Sequence, residues 1–201
     1  GTADLEQLTR LAPLPETAIE LCAVAERFSP VRGDVYLANA ATESQIKSLN
    51  ASGQLAQYRV LHFATHGALA GQVRGTIEPG LIMTPPQQTS REDDGYLSSS
   101  DISALKLDAD WVILSACDTS AGESENAPTY SGLARAFVSA GARALLLSHW
   151  PVRDDVASRL TLRTVEAAHG RTSRAEALRR AQGEVLRDTK VPGSAPPATM
   201  G

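Results

Sequence analysis

The sequence predicts an α/β fold: a mainly parallel β-sheet with helices on both faces. Strand-like and helix-like segments alternate along the chain, and the strand candidates read as continuous apolar runs. Such runs belong to strands buried on both faces, as parallel sheets require. The apolar runs also end in conspicuous polar residues, at the carboxyl strand ends where parallel sheets gather their chemistry.

The elements follow in order. Residues 15–28 read as a helix, since Pro15 suits a first turn and Leu21, Val24, Ala25 and Phe28 share one face. Val35 to Ala38 is a short strand candidate. Thr42-Glu-Ser-Gln45 has the form of a capping box and opens a helix to about Asn50. Tyr58 to Thr65 is a strand buried on both faces, followed by a Gly-rich loop over 67–79 and a strand candidate at Leu81–Thr84. Pro85 to Asp94 is polar and predicts an exposed excursion. A short helix near 100–105 leads into the strand 110–116. A polar loop, 118–129, precedes the helix 131–141 and the strand Ala142–Ser148. Two helices close the chain. One runs from Asp154 to His169, where the imidazole would be a favourable charge at a helix C-terminus. The other opens at Ser173, with Glu176 three residues on, and buries Leu178, Ala181, Val185 and Leu186. Residues 1–187 are read as a single domain, and the Pro-rich stretch 188–201 as a disordered tail.

Composition narrows the function classes. A chain of 201 residues, 42% hydrophobic and 4% aromatic, can bury one substantial core resting on Leu, Val, Ile and Ala. The net charge of -4 offers no concentrated Lys/Arg face for phosphates, so nucleic acid is not expected as a partner. No apolar run approaches the roughly 18 residues that span a bilayer, and no membrane association is expected. The start Gly1-Thr-Ala, without Met, suggests an excised domain or a tag remnant. Two cysteines, Cys22 and Cys117, make no disulfide framework, so the expected compartment is the reducing cytoplasm. They and the four scattered histidines form no metal-binding pair, and no metal or other cofactor is expected. Gly-x-Gly-x-x-Gly, Gly-Lys-Ser/Thr and Cys-x-x-Cys are all absent, against nucleotide binding or thiol–disulfide exchange.

Cys117, at the end of the run Val112–Ala116, is ambiguous alone, because cysteine is among the residues most often buried. His66 resolves it. It ends another strand, 51 positions upstream, and a thiol nucleophile needs an imidazole within reach. Caspase-type peptidases carry their His about 50 residues before an Ala-Cys pair. His62 lies inside its strand and reads as a core histidine held by a hydrogen bond. His149 ends a third strand and is a candidate to line a cleft.

The segments His62-Phe-Ala-Thr-His-Gly67, Leu114-Ser-Ala-Cys-Asp-Thr119, Gly132-Leu-Ala-Arg-Ala-Phe137, Ala140-Gly-Ala-Arg143 and Trp150-Pro-Val152 together resemble the CHAT domain. That family consists of caspase-like peptidase domains related to separases and often joined to tetratricopeptide repeats. The resemblance runs from about Leu14 to Leu186. It implies a caspase-like fold, Cys117 as nucleophile, and His66 as the second member of the dyad. It also implies an oxyanion site at the N–H groups of Gly67 and Cys117, a protein or peptide substrate, and a repeat or other regulatory partner. A glycine at 67 lets its N–H approach a substrate closely, and equally suits a turn of positive φ.

Specificity is left with alternatives. In caspases the residue two before the nucleophile is Gln, and in Arg/Lys-specific relatives it is often Asp; here it is the uncharged Ser115. The segment Trp150-Pro-Val-Arg-Asp-Asp155 resembles the separase pattern whose last Asp receives a substrate Arg, which aligns with Asp154. A carboxylate there would hold a basic P1 residue through paired hydrogen bonds. Asp154 or Asp155 could instead cap the following helix, and Arg153 turned inward would favour an acidic P1. Ser115, His149, Trp150, Asp154 and Asp155 are therefore the candidate substrate-binding residues. The loop 118–129 is either a solvated connection or a segment that orders on substrate or partner binding. A catalytically silent caspase-like interaction module is the alternative function, which the intact Cys117, His66 and Gly67 disfavour.

Overall fold

The computed structural model describes residues 1–28, 33–115, 131–147, 154–168 and 172–187. In chain order the elements are α1 (Leu5–Thr9), α2 (Glu16–Phe28), α3 (Glu43–Ala51), β1 (Val60–Ala64), β2 (Gly67–Ala68), β3 (Gly80–Ile82) and β4 (Tyr96–Ser98). They continue with α4 (Ser99–Ser103), β5 (Trp111–Ser115), α5 (Ser131–Ala140), β6 (Leu145–Leu147), α6 (Asp154–Ala167) and α7 (Arg174–Arg187). These elements fall into two compact units, residues 1–14 with 36–152 and residues 15–35 with 153–201.

The first unit carries a parallel sheet in the order β1-β5-β6 and a small antiparallel sheet in the order β2-β3-β4. Strands and helices alternate in an α/β arrangement with a parallel sheet, as the apolar runs predict. β5 is the central parallel strand and is buried along its whole length. Its side chains alternate between two faces, so Val112 and Leu114 join one core while Trp111, Ile113 and Ser115 are buried on the other. β1 is an edge strand among the described residues, and only Phe63 in it is fully buried. The reading of β1 as buried on both faces is thus corrected: its other four residues are only half-buried.

Phe63 packs on Phe137 of α5, with ring centroids 5.5 Å apart. Around this pair Leu81, Leu97, Ile102, Val112, Leu114 and Leu133 close the main core. Gly141, directly after α5, has φ +114°, and a Cβ there would lie 2.1 Å from the Leu107 carbonyl oxygen. The turn therefore needs glycine, because a side chain would meet rigid backbone in an unfavourable conformation.

The amino edge of the parallel sheet is tied by charge. Arg59, just before β1, meets Asp110 in a two-pronged contact at 2.9 and 2.8 Å and Asp108 at 2.7 Å. Arg143, two residues before β6, reaches the same two carboxylates. The Arg143 guanidinium, with Arg59 adding to it, holds the Asp108 carboxyl below the usual carboxylate range. These groups are solvent-exposed, so they fix strand order more than they stabilise the fold.

Glu43, by contrast, is a buried charge. Thr42 caps α3 by accepting from the Gln45 N–H at 3.1 Å, and Glu43 follows as the first helical residue. Its side chain is 3% exposed. One oxygen accepts from the Lys47 ammonium at 2.5 Å, and the other from the N–H groups of Asp94 and Gly95 at 2.8 and 3.1 Å. Burial pushes its carboxyl above the ordinary range, and the Lys47 and backbone contacts oppose that push. The end of the polar excursion, 94–95, is thereby fastened to α3.

Several sequence expectations need correction. Val35–Ala38 forms no strand: Val35 and Leu37 are 37% and 38% exposed, and Ala38–Ala40 is a 3-10 turn. β2 and β4 lie in segments read as a loop or left unread, and α1 precedes every predicted element. In the second unit α2 packs on α6 and α6 on α7. Ser158 donates to the buried Glu20 at 2.7 Å, and Ser173 accepts from the Glu176 N–H at 3.3 Å, starting α7 as predicted. Ala177 and Ala181 are buried, but Leu186 is 55% exposed, turned off the buried face. Among the described residues, no helix is long and apolar enough to cross a membrane. The predicted tail, 188–201, lies outside them.

Replacing Glu43 with Ala strands two backbone N–H groups and a part-buried ammonium, so E43A is expected to lose about 3 kcal/mol of stability. Urea unfolding followed by circular dichroism measures it, and a midpoint equal to wild type would contradict the role given to Glu43.

Candidate active site

Local sequence places the first candidate. The Val60–Ala64 strand stops at Thr65, whose hydroxyl donates to the Ile82 carbonyl instead of pointing along the sheet. The next carbonyl, of His66, accepts from the Ile82 N–H at 2.8 Å. His66 therefore leaves the parallel sheet with its backbone clamped to β3. Its ring is half-buried, and Nε2 lies 2.7 Å from the carbonyl oxygen of Ala12. A carbonyl only accepts, so Nε2 carries the hydrogen and the neutral ring keeps its lone pair on Nδ1.

Ala12 is held by a strap. Asp4 caps α1 by accepting from the Gln7 N–H at 3.0 Å. Gln7 then donates to the Gln72 carbonyl at 2.7 Å and accepts from the Arg74 N–H at 2.8 Å. The Asp4 N–H donates to the Arg74 carbonyl at 2.9 Å, and the two side chains form an ion pair at 3.0 Å. Leu8, 3% exposed, sits in a small core with Ala68, Val73, Ile82 and Tyr96. The N-terminal segment is thus laid across the antiparallel sheet and the loop that follows Gly67.

Gly67 is buried and opens β2 opposite Leu81. It is a strand residue and not among the glycines of positive φ, so the turn reading does not apply. On the neighbouring parallel strand, Ser115 is the last described residue, buried and paired in register with Ala64. Its hydroxyl lies 2.7 Å from Nε2 of His62, two residues earlier on β1. His66, Gly67, Ser115 and His62 are therefore gathered at the carboxyl end of the β1–β5 pair.

Cys117, His149 and Trp150, with the loop 118–129, lie outside the described residues. Asp154 and Asp155 open α6 in the second unit, where Asp155 is half-buried. A cavity of about 180 Å³ in the first unit is lined by Glu43, Glu78, Asp94, Tyr96 and Asp101, and contains none of the candidate residues.

The arrangement has defined chemical capacity. A histidine whose Nε2–H is bound by a backbone carbonyl has a fixed tautomer and orientation, so Nδ1 can accept a proton from a nearby acid. Sequence reasoning missed Ala12, because the contributing atom is a backbone oxygen and no side-chain pattern marks it. The strap itself had a signal: Asp4-Leu-Glu-Gln7 places an acid at N-cap and Gln three residues on, the mark of a helix start.

With this geometry in hand, comparison with known families is informative. The CHAT domain family matches residues 2–197, nearly the whole chain. A search among curated proteins found no match.

The neutral His66 ring is expected to be the Nε2–H tautomer. Its ¹⁵N ring shifts under alkaline conditions report this directly, and an Nδ1–H tautomer would contradict the Ala12 contact.

Proposed function

Because the chain belongs to the CHAT domain family, a caspase-like family related to cysteine peptidases, we propose that it is a cysteine endopeptidase. One observation carries the reading. β1 and β5 are parallel neighbours with Ala64 opposite Ser115, and in sequence His66 and Cys117 each follow that pair by two residues. Adjacent strands run about 4.8 Å apart, a spacing compatible with an imidazole–thiol contact.

In this mechanism the thiol of Cys117 gives its proton to Nδ1 of His66, and the thiolate attacks the scissile carbonyl. The carbonyl oxygen becomes an oxyanion, received by the N–H groups of Gly67 and Cys117. The tetrahedral intermediate collapses as the His66 imidazolium protonates the leaving amine. Water, deprotonated by the same ring, then releases the acyl group and restores the thiol. The Ala12 carbonyl keeps the ring oriented through both proton transfers.

A basic P1 residue is proposed, received by Asp154 or Asp155 through paired hydrogen bonds, with His149 and Trp150 lining the cleft. Ser115 offers only a neutral hydroxyl, already bonded to His62, and supplies no charge to a P1 pocket. The setting proposed is cytoplasmic, with a protein substrate and a repeat-containing or other regulatory partner.

Incubation of wild type, C117A and H66A with a peptide library varied at P1 tests the reading. C117A should cleave nothing, H66A should lose about 10²- to 10⁴-fold, and Arg or Lys should lead at P1. Equal cleavage by C117A would sink the nucleophile assignment, and preference for Asp or Glu would sink the basic pocket. No cleavage by wild type, with or without partner, would favour the interaction module.

A further inference from the structure

We propose that His62 and Ser115 form a positioning pair that fixes the β1 and β5 strand ends against each other and thereby sets the reach between His66 and Cys117. The inference deepens the peptidase reading and rests on it. Its basis is the hydrogen bond of 2.7 Å between His62 Nε2 and the Ser115 hydroxyl.

The link is diagonal. In the ladder His62 faces Ile113 and Ala64 faces Ser115, so the side-chain bond skips one rung of register. Backbone ladder bonds hold two strands side by side, but they end with the strand. A diagonal side-chain bond resists sliding of one strand along the other at the terminal rung, beyond which each chain continues by two residues to a dyad member.

The composition of β5 points the same way. Trp111, Val112, Ile113 and Leu114 are all apolar and 3% exposed or less, whereas Ser115, 5% exposed, is the one polar side chain in the strand. A hydroxyl buried in that setting costs free energy unless it is bonded, and a valine would fill the site without that cost. Polar pairs kept in an apolar layer specify a unique geometry more than they add stability. Its location at the dyad end of the strand gives that geometry a use. His66 is then constrained at three levels: its carbonyl by Ile82, its ring by Ala12 and its strand by Ser115.

The test reads thiol reactivity, which a purely structural residue does not tune. Alkylation of Cys117 by iodoacetamide at neutral pH is followed by mass spectrometry, with the exposed Cys22 of the same chain as internal reference. Wild-type Cys117 should react faster than Cys22. H62N, too short to reach Ser115, should slow Cys117 about tenfold or more, since small misplacements in such pairs carry losses of this order. H62Q, whose amide nitrogen extends as far as Nε2, should recover most of the rate. S115A should behave as H62N, and the double variant should be no worse than either single, because the two share one interaction. On a P1-Arg peptide, H62N should lower kcat with KM unchanged. Cys22 should react alike in all variants. Wild-type rates in H62N and S115A would overturn the positioning role while leaving the peptidase reading intact. Equal slowing in H62Q and H62N would overturn the hydrogen bond as its means. A wild-type Cys117 no faster than Cys22 would remove the peptidase reading, and the proposal with it.

Discussion

The parallel pairing of β1 with β5 is the constraint on which the rest depends. Five rungs, from Val60 opposite Trp111 to Ala64 opposite Ser115, fix which residues leave the sheet side by side. A shift of one residue would turn His62 away from Ser115, since side-chain direction alternates along a strand. The register is protected at both ends by different chemistry. The amino edge is held by Arg59 and Arg143 on the two carboxylates Asp108 and Asp110. The carboxyl edge is held by the His62–Ser115 bond and the clamp on Ile82.

The antiparallel sheet gives that edge its depth. β2 follows His66 at once and pairs with β3, so the chain turns from one sheet into the other at the candidate histidine. The strap over this sheet delivers the Ala12 carbonyl to the ring through Asp4, Gln7 and Leu8. Orientation of the imidazole thus depends on a segment 54 positions away in sequence.

How much of this was legible in the sequence depends on the kind of signal. β5 and the long helices were clear, because Trp111–Ser115 is a sustained apolar run and α5 and α6 repeat their apolar faces. β2 and β4 span two and three residues, too few for an alternation to register, whereas β3 overlaps the strand candidate at Leu81–Thr84. Val35–Leu37 has β-forming residues but no ladder partner among the described residues, and its extended backbone therefore remains a connection. His66 and Gly67 were legible as motif residues, whereas Ala12 acts through a backbone atom and leaves no mark. The job of His62 was half legible: a bonded histidine was expected, but its partner, across two strands, appears only once the register is known.

The central claim, that this strand pairing presents a catalytic thiol beside His66, is tested most directly by covalent trapping. A peptidyl-arginine acyloxymethyl ketone, which requires both an activated thiol and a substrate-like pose, should form one thioether. The account predicts that adduct on Cys117, with none on Cys22 and a rate that collapses in H66A. Equal labelling of both cysteines, or labelling of Cys117 that is unaffected by loss of His66, would contradict it.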